Sequence, residues 1–281
     1  MAAFVRSLQL GKAKVSIINI GDIYLPLAEY MNVPKTELAI RDDLRELAEQ
    51  TRIPIHCIFF QLSQTSVLVD AGVYEVKTEP EYAIPDYEPP PSLVDRLIEL
   101  GIQPEKVEHV VITHRHWDHF NGTTCDDGGE YVPQFPNARY YLGRADWERA
   151  ATALQDPQSF EYRTLRVLHN HGMLELIDGN RDLGHGVQIL AAPGETPGHQ
   201  IVRVHSDGET FYCLGDMYHH PVEFAHPEWM VSWAASETNL VSRQALLKTA
   251  INERALLLAA HIPAIGRLQA ISSGIAWENV L

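Results

Sequence analysis

The sequence predicts a single α/β domain made of two sheet-plus-helix halves. Apolar, β-branched runs typical of strands alternate along the chain with amphipathic stretches typical of helices. The 281 residues are 45% hydrophobic and 21% charged, which is the composition of a globular protein. No linker and no repeat divides the chain, so we expect one domain over residues 1–281.

The N-terminal half contains most of the strands predicted from continuous apolar runs. Strands are predicted at residues 15–20, 55–62, 66–70, 107–113 and 138–142, and helices at 36–50 and 91–100. The second helix is followed by Gly101, a residue that commonly closes helices. Residues 71–91 contain five prolines and no periodic pattern, which predicts a long surface loop.

The C-terminal half begins with two helical patterns and then alternates strands with turns. Helices are predicted at residues 144–154 and 160–169. Four strands follow at 174–177, 187–191, 200–205 and 210–214, before a long helix at 236–252 and a last buried strand at 255–260. This arrangement predicts a second sheet of its own, covered by the long helix.

The charge balance excludes some classes of partner. Lys and Arg number 22 and Asp and Glu 37, which gives a net charge of −15. We therefore expect neither a nucleic-acid partner nor a membrane partner, because both require basic surfaces. The three cysteines form no CxxC motif, and the start of the chain lacks the apolar core of a signal peptide. We expect a cytoplasmic protein with a small-molecule substrate.

A cluster of metal-binding residue types follows the strand predicted at 107–113. The segment His-Arg-His-Trp-Asp-His places His114, His116, Asp118 and His119 within six residues. Residues two apart in a strand point the same way, so His114 and His116 can share one metal. Asp118 and His119 follow as the chain turns, and they can face a second one. Imidazole and carboxylate ligands without thiolate suit Zn²⁺, with Fe, Mn or Co as alternatives.

Three further residues of ligand type stand at predicted strand ends or tight turns. His199 lies in Thr-Pro-Gly-His between two predicted strands, Asp216 in Leu-Gly-Asp after another, and His261 directly after the last buried strand. A glycine precedes His199 and Asp216, and it lets the backbone pass close to a metal. The sequence therefore predicts a site that joins distant parts of the chain.

These motifs resemble those of the metallo-β-lactamase fold superfamily of binuclear metallohydrolases. The matching segments are HRHWDH at 114–119, TPGH at 196–199, LGD at 214–216 and AH at 260–261, with LVDAG at 68–72 before them. They occur in the family's order. The resemblance implies an αββα sandwich, in which two mixed sheets lie face to face and helices cover the outside. One ligand set from each half would place the site between the sheets.

The resemblance also implies a role for each residue in the motifs. Two divalent metal ions would be bound, most simply Zn²⁺. The first would be held by His114, His116 and His199, the second by Asp118, His119 and His261, and Asp216 would bridge both. Asp70 would orient a ligand histidine through the other nitrogen of its ring.

The implied reaction is hydrolysis of an ester, lactone or organophosphotriester by a metal-bridging hydroxide. The A-H-x-P-x-x-G segment at 260–266 resembles the methyl parathion hydrolase branch, which is close to the N-acyl homoserine lactonases. Those lactonases have a tyrosine three residues after the bridging aspartate. Here that position is His219, and the tyrosine is Tyr218. Either side chain could stabilise the oxyanion, and Asp118 could pass a proton to the leaving group.

Other classes of protein share this fold and stay open at this point. A mononuclear-iron persulfide dioxygenase would have similar motifs, so this class stays open. A diiron flavoprotein partner would have glutamate where His116 stands, which argues against that class. A nuclease is disfavoured by the net charge of −15, and a non-catalytic relative would be expected to have lost some ligands. Residues 26–50 match no core motif, and we expect them to form a lid or a contact in a homodimer.

Overall fold

Two mixed β-sheets of seven strands each form the centre of the molecule. The computed structural model describes residues 4–41, 44, 47, 51–73, 90–272 and 274–280. The predicted loop at 71–91 and the end of the helix predicted at 36–50 lie largely outside these residues. No helix in the described part of the chain is long and apolar enough to cross a membrane.

The first part of the chain supplies nine strands, of which seven form the first sheet and two form a separate hairpin. The strands are β1 (Val5–Leu10), β2 (Ala13–Leu25), β3 (Thr51–Gln61), β4 (Ser66–Val69), β5 (His109–Val111), β6 (Thr124–Asp127), β7 (Glu130–Pro133), β8 (Arg139–Gly143) and β9 (Leu174–Ile177). β6 and β7 pair with each other as a hairpin, and the others follow the order β1-β2-β3-β4-β5-β8-β9. β4, β5, β8 and β9 run parallel to one another, and the remaining pairs are antiparallel.

The second sheet is built from the C-terminal half and follows the chain order. Its strands are β10 (Arg181–Gly184), β11 (Val187–Ala191), β12 (Gln200–Ser206), β13 (Glu209–Cys213), β14 (Leu256–Leu258), β15 (Gly266–Ile271) and β16 (Gly274–Asn279). Only β13 and β14 pair in parallel.

Nine helices in the described residues connect and cover the strands. They are α1 (Leu27–Tyr30), α2 (Lys35–Ile40), α3 (Leu93–Glu99), α4 (Trp117–Phe120), α5 (Arg144–Arg149), α6 (Phe160–Arg163), α7 (Leu165–Asn170), α8 (Val222–Ala225) and α9 (Ser236–Glu253). Only α9 exceeds two turns. Its residues Leu246 and Ala250 are buried, so this helix packs one side on the protein.

Three apolar clusters show how the layers stack. The middle cluster joins Val15 and Phe60 of the first sheet to Val202 and Phe211 of the second. Alternate residues of a strand face opposite sides, so each sheet has a second apolar face on the outside. The helices α3 and α7 cover that face of the first sheet, and α9 covers that of the second. The predicted αββα sandwich with two mixed sheets is confirmed.

The elements that sequence patterns missed are mostly exposed or short. The hairpin β6–β7 and the strands β10 and β16 carry mainly exposed or half-exposed residues, so they show no apolar run. The helix predicted at 160–169 is interrupted at Thr164, which adopts a non-helical conformation between α6 and α7. The helix predicted at 144–154 is shorter, and α5 ends at Arg149.

The parallel strand pairs determine where the predicted ligands meet. Asp70 follows β4 and the 113–119 segment follows β5, so both leave the same edge of the first sheet. Asp216 and His261 follow β13 and β14 in the same way in the second sheet. Carboxyl ends of parallel strands lie side by side, which brings residues distant in sequence to one place.

Candidate metal centre

Asp70 fixes the start of the histidine-rich segment. Its carboxylate accepts hydrogen bonds from the Thr113 backbone N–H at 2.7 Å and the Thr113 hydroxyl at 2.9 Å. The same carboxylate accepts from Nδ1 of His119 at 2.8 Å. All three residues are buried. The predicted contact between Asp70 and a ligand-type histidine is therefore present, and it turns Nε2 of His119 toward the centre.

Two adjoining groups of side chains form the centre. Within each group the nitrogen and oxygen atoms that could bind a metal lie within 4.8 Å of one another. The first group contains His114, His116, Glu195 and Asp216, and the second contains Asp118, His119 and His261. Six of the seven predicted ligands belong to these groups.

Asp216 lies between the two groups. Its Oδ2 is 3.6 Å from Nε2 of His114 and 3.3 Å from Nε2 of His261, and its Oδ1 is 3.2 Å from Nε2 of His119. Nε2 of His261 is also 3.3 Å from Oδ2 of Asp118. One carboxylate thus faces imidazoles of both groups.

His199, the seventh predicted ligand, lies beside the first group. Its ring centre is 5.2 Å from that of His114. Its Nδ1 donates to the Ala192 carbonyl at 3.0 Å, which leaves Nε2 as the acceptor. That Nε2 faces the Asp216 backbone N–H at 3.2 Å. His199 is therefore close to the centre, and its Nε2 accepts a hydrogen bond from the backbone of Asp216.

Backbone carbonyls orient other rings of the centre. Nδ1 of His261 donates to the Pro54 carbonyl at 2.8 Å, so its Nε2 points toward Asp118 and Asp216. Such a hydrogen bond fixes both the tautomer and the direction of the ring. Nε2 of His114 and Nδ1 of His116 approach each other to 2.8 Å.

Sequence reasoning missed Asp146, which ties the two ligand segments of the first group together. Its fully buried carboxylate accepts from the Arg115 backbone N–H at 2.9 Å, the Thr196 hydroxyl at 2.7 Å and the Gly198 backbone N–H at 2.7 Å. A Cβ at Gly198 would lie 2.6 Å from the Asp146 nitrogen, so this approach requires glycine. The available signal was an aspartate in the first turn after β8.

Glu195 was also missed, although it directly precedes the Thr-Pro-Gly-His motif that contains the predicted ligand His199. Its side chain is fully buried, and Oε1 lies 3.5 Å from Nδ1 of His116. The Trp233 indole donates to the same oxygen at 2.5 Å. Burial raises the pKa of Glu195 to about 7, with His219 opposing that shift and Asp216 adding to it.

The structure separates the two residues considered for oxyanion stabilisation. His219 is buried in the centre, with Nε2 3.4 Å from Oδ2 of Asp216. Tyr218 instead points into the apolar cluster under α9, where its ring stacks on Phe224 at 4.0 Å and under the Arg243 guanidinium at 4.3 Å. Adjacent residues in this extended turn face opposite ways, so Tyr218 is not brought to the metal-binding groups.

The electrostatics of the centre divide the histidines into two kinds. Burial lowers the pKa of His114 and His116, and it lowers that of His199 to about 4. Burial would do the same to His261, but the Asp216 and Asp118 carboxylates outweigh it and raise its pKa to about 10. The second group therefore lies in a strongly negative environment, as a cation site requires.

Unpartnered polar atoms test whether metal ions fit here. Nε2 of His119 and Oδ1 of Asp216 are buried, and neither has a hydrogen-bond partner in the part of the chain that the structure describes. The two atoms are 3.2 Å apart. Buried polar atoms are normally satisfied, so two neighbouring atoms without a hydrogen bond indicate that a further partner belongs here. A donor set of imidazoles and carboxylates suits divalent transition metals. The residues present therefore fit two such ions.

Several curated proteins that are similar to this chain are named N-acyl homoserine lactonases. An N-acyl homoserine lactonase of Bacillus cereus is 24% identical over 219 residues, which cover 74% of this chain and 81% of that protein. An N-acyl homoserine lactonase of a Bacillus species is 26% identical over 165 residues, 55% of this chain. That match spans only 60% of the length of the Bacillus protein.

Solved structures share the fold over nearly the whole chain. The hydrolase AbOPH of the beta lactamase superfamily superposes with a TM-score of 0.81 at 19% identity, covering 100% of this chain and 99% of its own. AidC, a dizinc quorum-quenching lactonase in complex with a product, gives a TM-score of 0.75 at 20% identity, with 99% and 97% covered. At these identities the likeness shows the fold.

The family model described as the metallo-beta-lactamase superfamily matches residues 51–219, which is more than half of the chain. This range includes β3 to β13, the histidine-rich segment, His199 and Asp216. The predicted family is confirmed by this match, and the fold and the two ligand groups agree with it. The chain belongs to the metallo-beta-lactamase superfamily.

Proposed function

We propose that this protein is a binuclear metal-dependent hydrolase that opens lactones, with N-acyl homoserine lactones as the substrate class. The observation that carries the proposal is Asp216, whose carboxylate faces imidazoles of both ligand groups. His114, His116 and His199 serve one metal ion, and Asp118, His119 and His261 serve the other. Relatives named as N-acyl homoserine lactonases support the substrate class.

The chemistry divides between the bound ions and the protein. When bound, two divalent ions, most simply Zn²⁺, lower the pKa of a shared water and polarise the carbonyl under attack. His219 faces the same space from the side of Asp216, and its Nε2–H donates to the oxyanion that develops on the substrate. Asp118, hydrogen-bonded to His261, would take the proton that the attacking water loses and pass it to the alkoxide oxygen that forms when the ring opens.

Aromatic side chains around the centre support an apolar acyl group in the substrate. Trp233 is 43% exposed, contacts Glu195 and lies edge-on to His219 at 5.8 Å. On the other side, Trp117 stacks against Phe160, which is 44% exposed. Exposed aromatic rings beside a polar centre are typical of pockets that bind a partly apolar small molecule.

Two contacts support a place for the N-terminal segment at the rim of the pocket. The Tyr30 ring lies edge-on to Trp233 at 5.2 Å, and its carbonyl accepts from the Ser232 N–H at 2.8 Å. We propose that residues 26–41 form one wall of the pocket. Ile40 of this segment is 77% exposed, which suits the alternative role of a homodimer contact.

The three unpaired cysteines support a cytoplasmic location.

A panel of substrates tests the proposal. Purified protein, metal-loaded and chelator-stripped, would be given acyl homoserine lactones of several lengths, simple lactones, aryl esters and a phosphotriester. We expect metal-dependent hydrolysis with lactones first, esters next and the phosphotriester slowest. Metal-loaded protein that hydrolyses none of them would contradict the proposal. Oxygen consumption with a persulfide would then favour the dioxygenase alternative.

A further inference from the structure

Glu195 is a charged residue in the centre that the family motifs do not account for. It belongs to the first ligand group with His114, His116 and Asp216. Its side chain is fully buried. Taking a carboxylate out of water is unfavourable unless it gains a counter-charge or hydrogen bonds to both oxygens. The partners of these two oxygens therefore indicate what Glu195 does.

The two oxygens of Glu195 differ in their surroundings. Oε1 accepts from the Trp233 indole at 2.5 Å, and it lies 3.5 Å from Nδ1 of His116 and 3.9 Å from Nε2 of His219. Oε2 is buried and has no hydrogen-bond partner among the described residues. The indole and the imidazole of His219 compensate part of the buried charge at Oε1, and neither gives Oε2 a hydrogen bond. A cation beside His114 and His116 would compensate the rest.

We propose that Glu195 is a ligand of the first metal site and adds a third carboxylate to the centre, beside Asp118 and Asp216. The inference rests on the two-metal site proposed above. Glu195 would add to His114, His116 and His199 at this site, with its Oε1 3.5 Å from Nδ1 of His116. A carboxylate is a harder donor than imidazole, so Glu195 shifts the preference of this site toward Mn²⁺, Fe²⁺ or Co²⁺ relative to a site of histidines alone.

A competing role for Glu195 is to anchor Trp233. In that case the hydrogen bond from the indole would be its whole contribution, and removing the indole donor would have the same consequence as removing the carboxylate. The two roles separate cleanly, because Trp233 itself offers no metal ligand. Trp233→Phe deletes the donor and leaves the Glu195 carboxylate in place.

The test compares metal binding across matched variants. Wild type, Glu195→Gln, Glu195→His and Trp233→Phe would be titrated with Co²⁺ against a chromophoric chelator, with Glu253→Gln as a carboxylate control outside the centre. Bound metal per chain and the visible spectrum of bound Co²⁺ are the readouts. We expect Glu195→Gln to weaken one of two sites about tenfold or more. Glu195→His should restore two sites with an altered spectrum, whereas Trp233→Phe and Glu253→Gln should match wild type.

Each result decides for or against Glu195 as a ligand. Wild-type affinity and spectrum in Glu195→Gln would overturn the inference, and so would an equal loss in Trp233→Phe. If Glu195→Gln does not fold, the spectrum of Glu195→His decides, since a new nitrogen ligand must change it. Wild type that binds fewer than two ions would overturn the proposed function as well. Two ions in both wild type and Glu195→Gln, with the same spectrum, would overturn only the role of Glu195.

Discussion

The two segments that carry most of the centre are held in place by different means. Residues 113–119 are tied to the first sheet by carboxylates that accept from them directly: Asp70 from Thr113 and His119, and Asp146 from Arg115. Residues 216–220 are held from behind by a fully buried ion pair, in which Arg243 donates to Glu223 at 2.5 Å. Glu223 in turn accepts from the backbone N–H groups of His219 and His220.

This difference separates support through a ligand from support through the backbone. Asp70 contacts an imidazole of the centre, so its loss should lower the metal affinity more than the free energy of unfolding. The Arg243–Glu223 pair touches no imidazole, and Arg243 reaches the segment through the Met217 carbonyl at 3.0 Å. Breaking this pair should therefore lower mainly the free energy of unfolding, because a buried charge without a partner is unfavourable.

The largest expected effect comes from breaking the buried pair. Arg243→Met leaves the Glu223 carboxylate buried with only two backbone donors, and we expect the free energy of unfolding to fall by about 3–5 kcal/mol. Chemical denaturation measures this. Arg203→Met is the matched control, because Arg203 pairs with Glu253 near the surface and should lose less than about 1 kcal/mol.

The double variant Arg243→Met/Glu223→Gln sharpens this test. It leaves no unpaired charge in the core, so we expect it to recover part of the stability that Arg243→Met loses. An equal loss of unfolding free energy in Arg243→Met and Arg203→Met would mean that the buried pair does not support the 216–220 segment.

The next effect concerns the two neighbours that face opposite ways. His219→Gln should lower kcat for the lactone by about 100-fold or more, which is the usual loss for one oxyanion donor. Tyr218→Phe should change kcat by less than a factor of about 3, because the Tyr218 ring packs against Phe224 away from the ligands. Steady-state kinetics of the folded variants separate them, and a larger loss in Tyr218→Phe would reverse the assignment.

Asp70→Asn should have a smaller effect, confined to the second ligand group. The substitution removes the acceptor that orients His119, and we expect metal affinity to fall about 10–100-fold with little change in the free energy of unfolding. Chelator competition measures the affinity. Asp207→Asn, at an exposed ion pair with Lys12, serves as the control and should bind metal as wild type does. Unchanged affinity in Asp70→Asn would show that His119 needs no such support.

The smallest effect is expected at the half-buried pair of Arg203 and Glu253. Burial would raise the pKa of Glu253, but hydrogen bonds from Arg203 and Tyr212 outweigh it and lower the pKa below the ordinary 4.5. A carboxylate with a lowered folded-state pKa contributes stability above its unfolded pKa and loses it as the pH falls through the folded value. Glu253→Gln should therefore cost less than about 1 kcal/mol at pH 7.

Denaturation of Glu253→Gln at two pH values checks the sign of this effect. The difference from wild type should disappear in acid, below the pKa of Glu253. A difference that persists or grows at low pH would mean that the Glu253 charge is not what stabilises this pair.

The sequence predicts a site residue well when its signal lies in neighbouring residues of the chain. It predicts poorly those residues that only the tertiary structure brings together. His114, His116, Asp118 and His119 lie in one short segment after a buried strand, so pattern and chemistry coincide. His199, Asp216 and His261 were predicted because they are residues of ligand type at predicted strand ends or tight turns, and the family motifs then gave each a role. The strands of the two sheet centres were predicted from apolar runs, and the exposed strands were not.

The residues that support the centre carried no such signal. Asp146 and Glu195 look like ordinary surface carboxylates until the fold buries them, and each acts through contacts with segments far away in sequence. Arg243 lies on the long helix α9, where an arginine normally faces solvent. Tyr218 was assigned by its distance from Asp216 along the chain, but the direction of a side chain in a turn depends on the backbone.

The most direct test of the account is a titration of metal-free protein with Zn²⁺, in which hydrolysis of an N-acyl homoserine lactone is followed at each addition. Because Asp216 faces both ligand groups, we expect activity to rise to a plateau at two equivalents per chain. The same titration of Asp216→Asn should reach far lower activity. A plateau of full activity at one equivalent, or no metal-dependent hydrolysis at two, would contradict a shared two-metal centre.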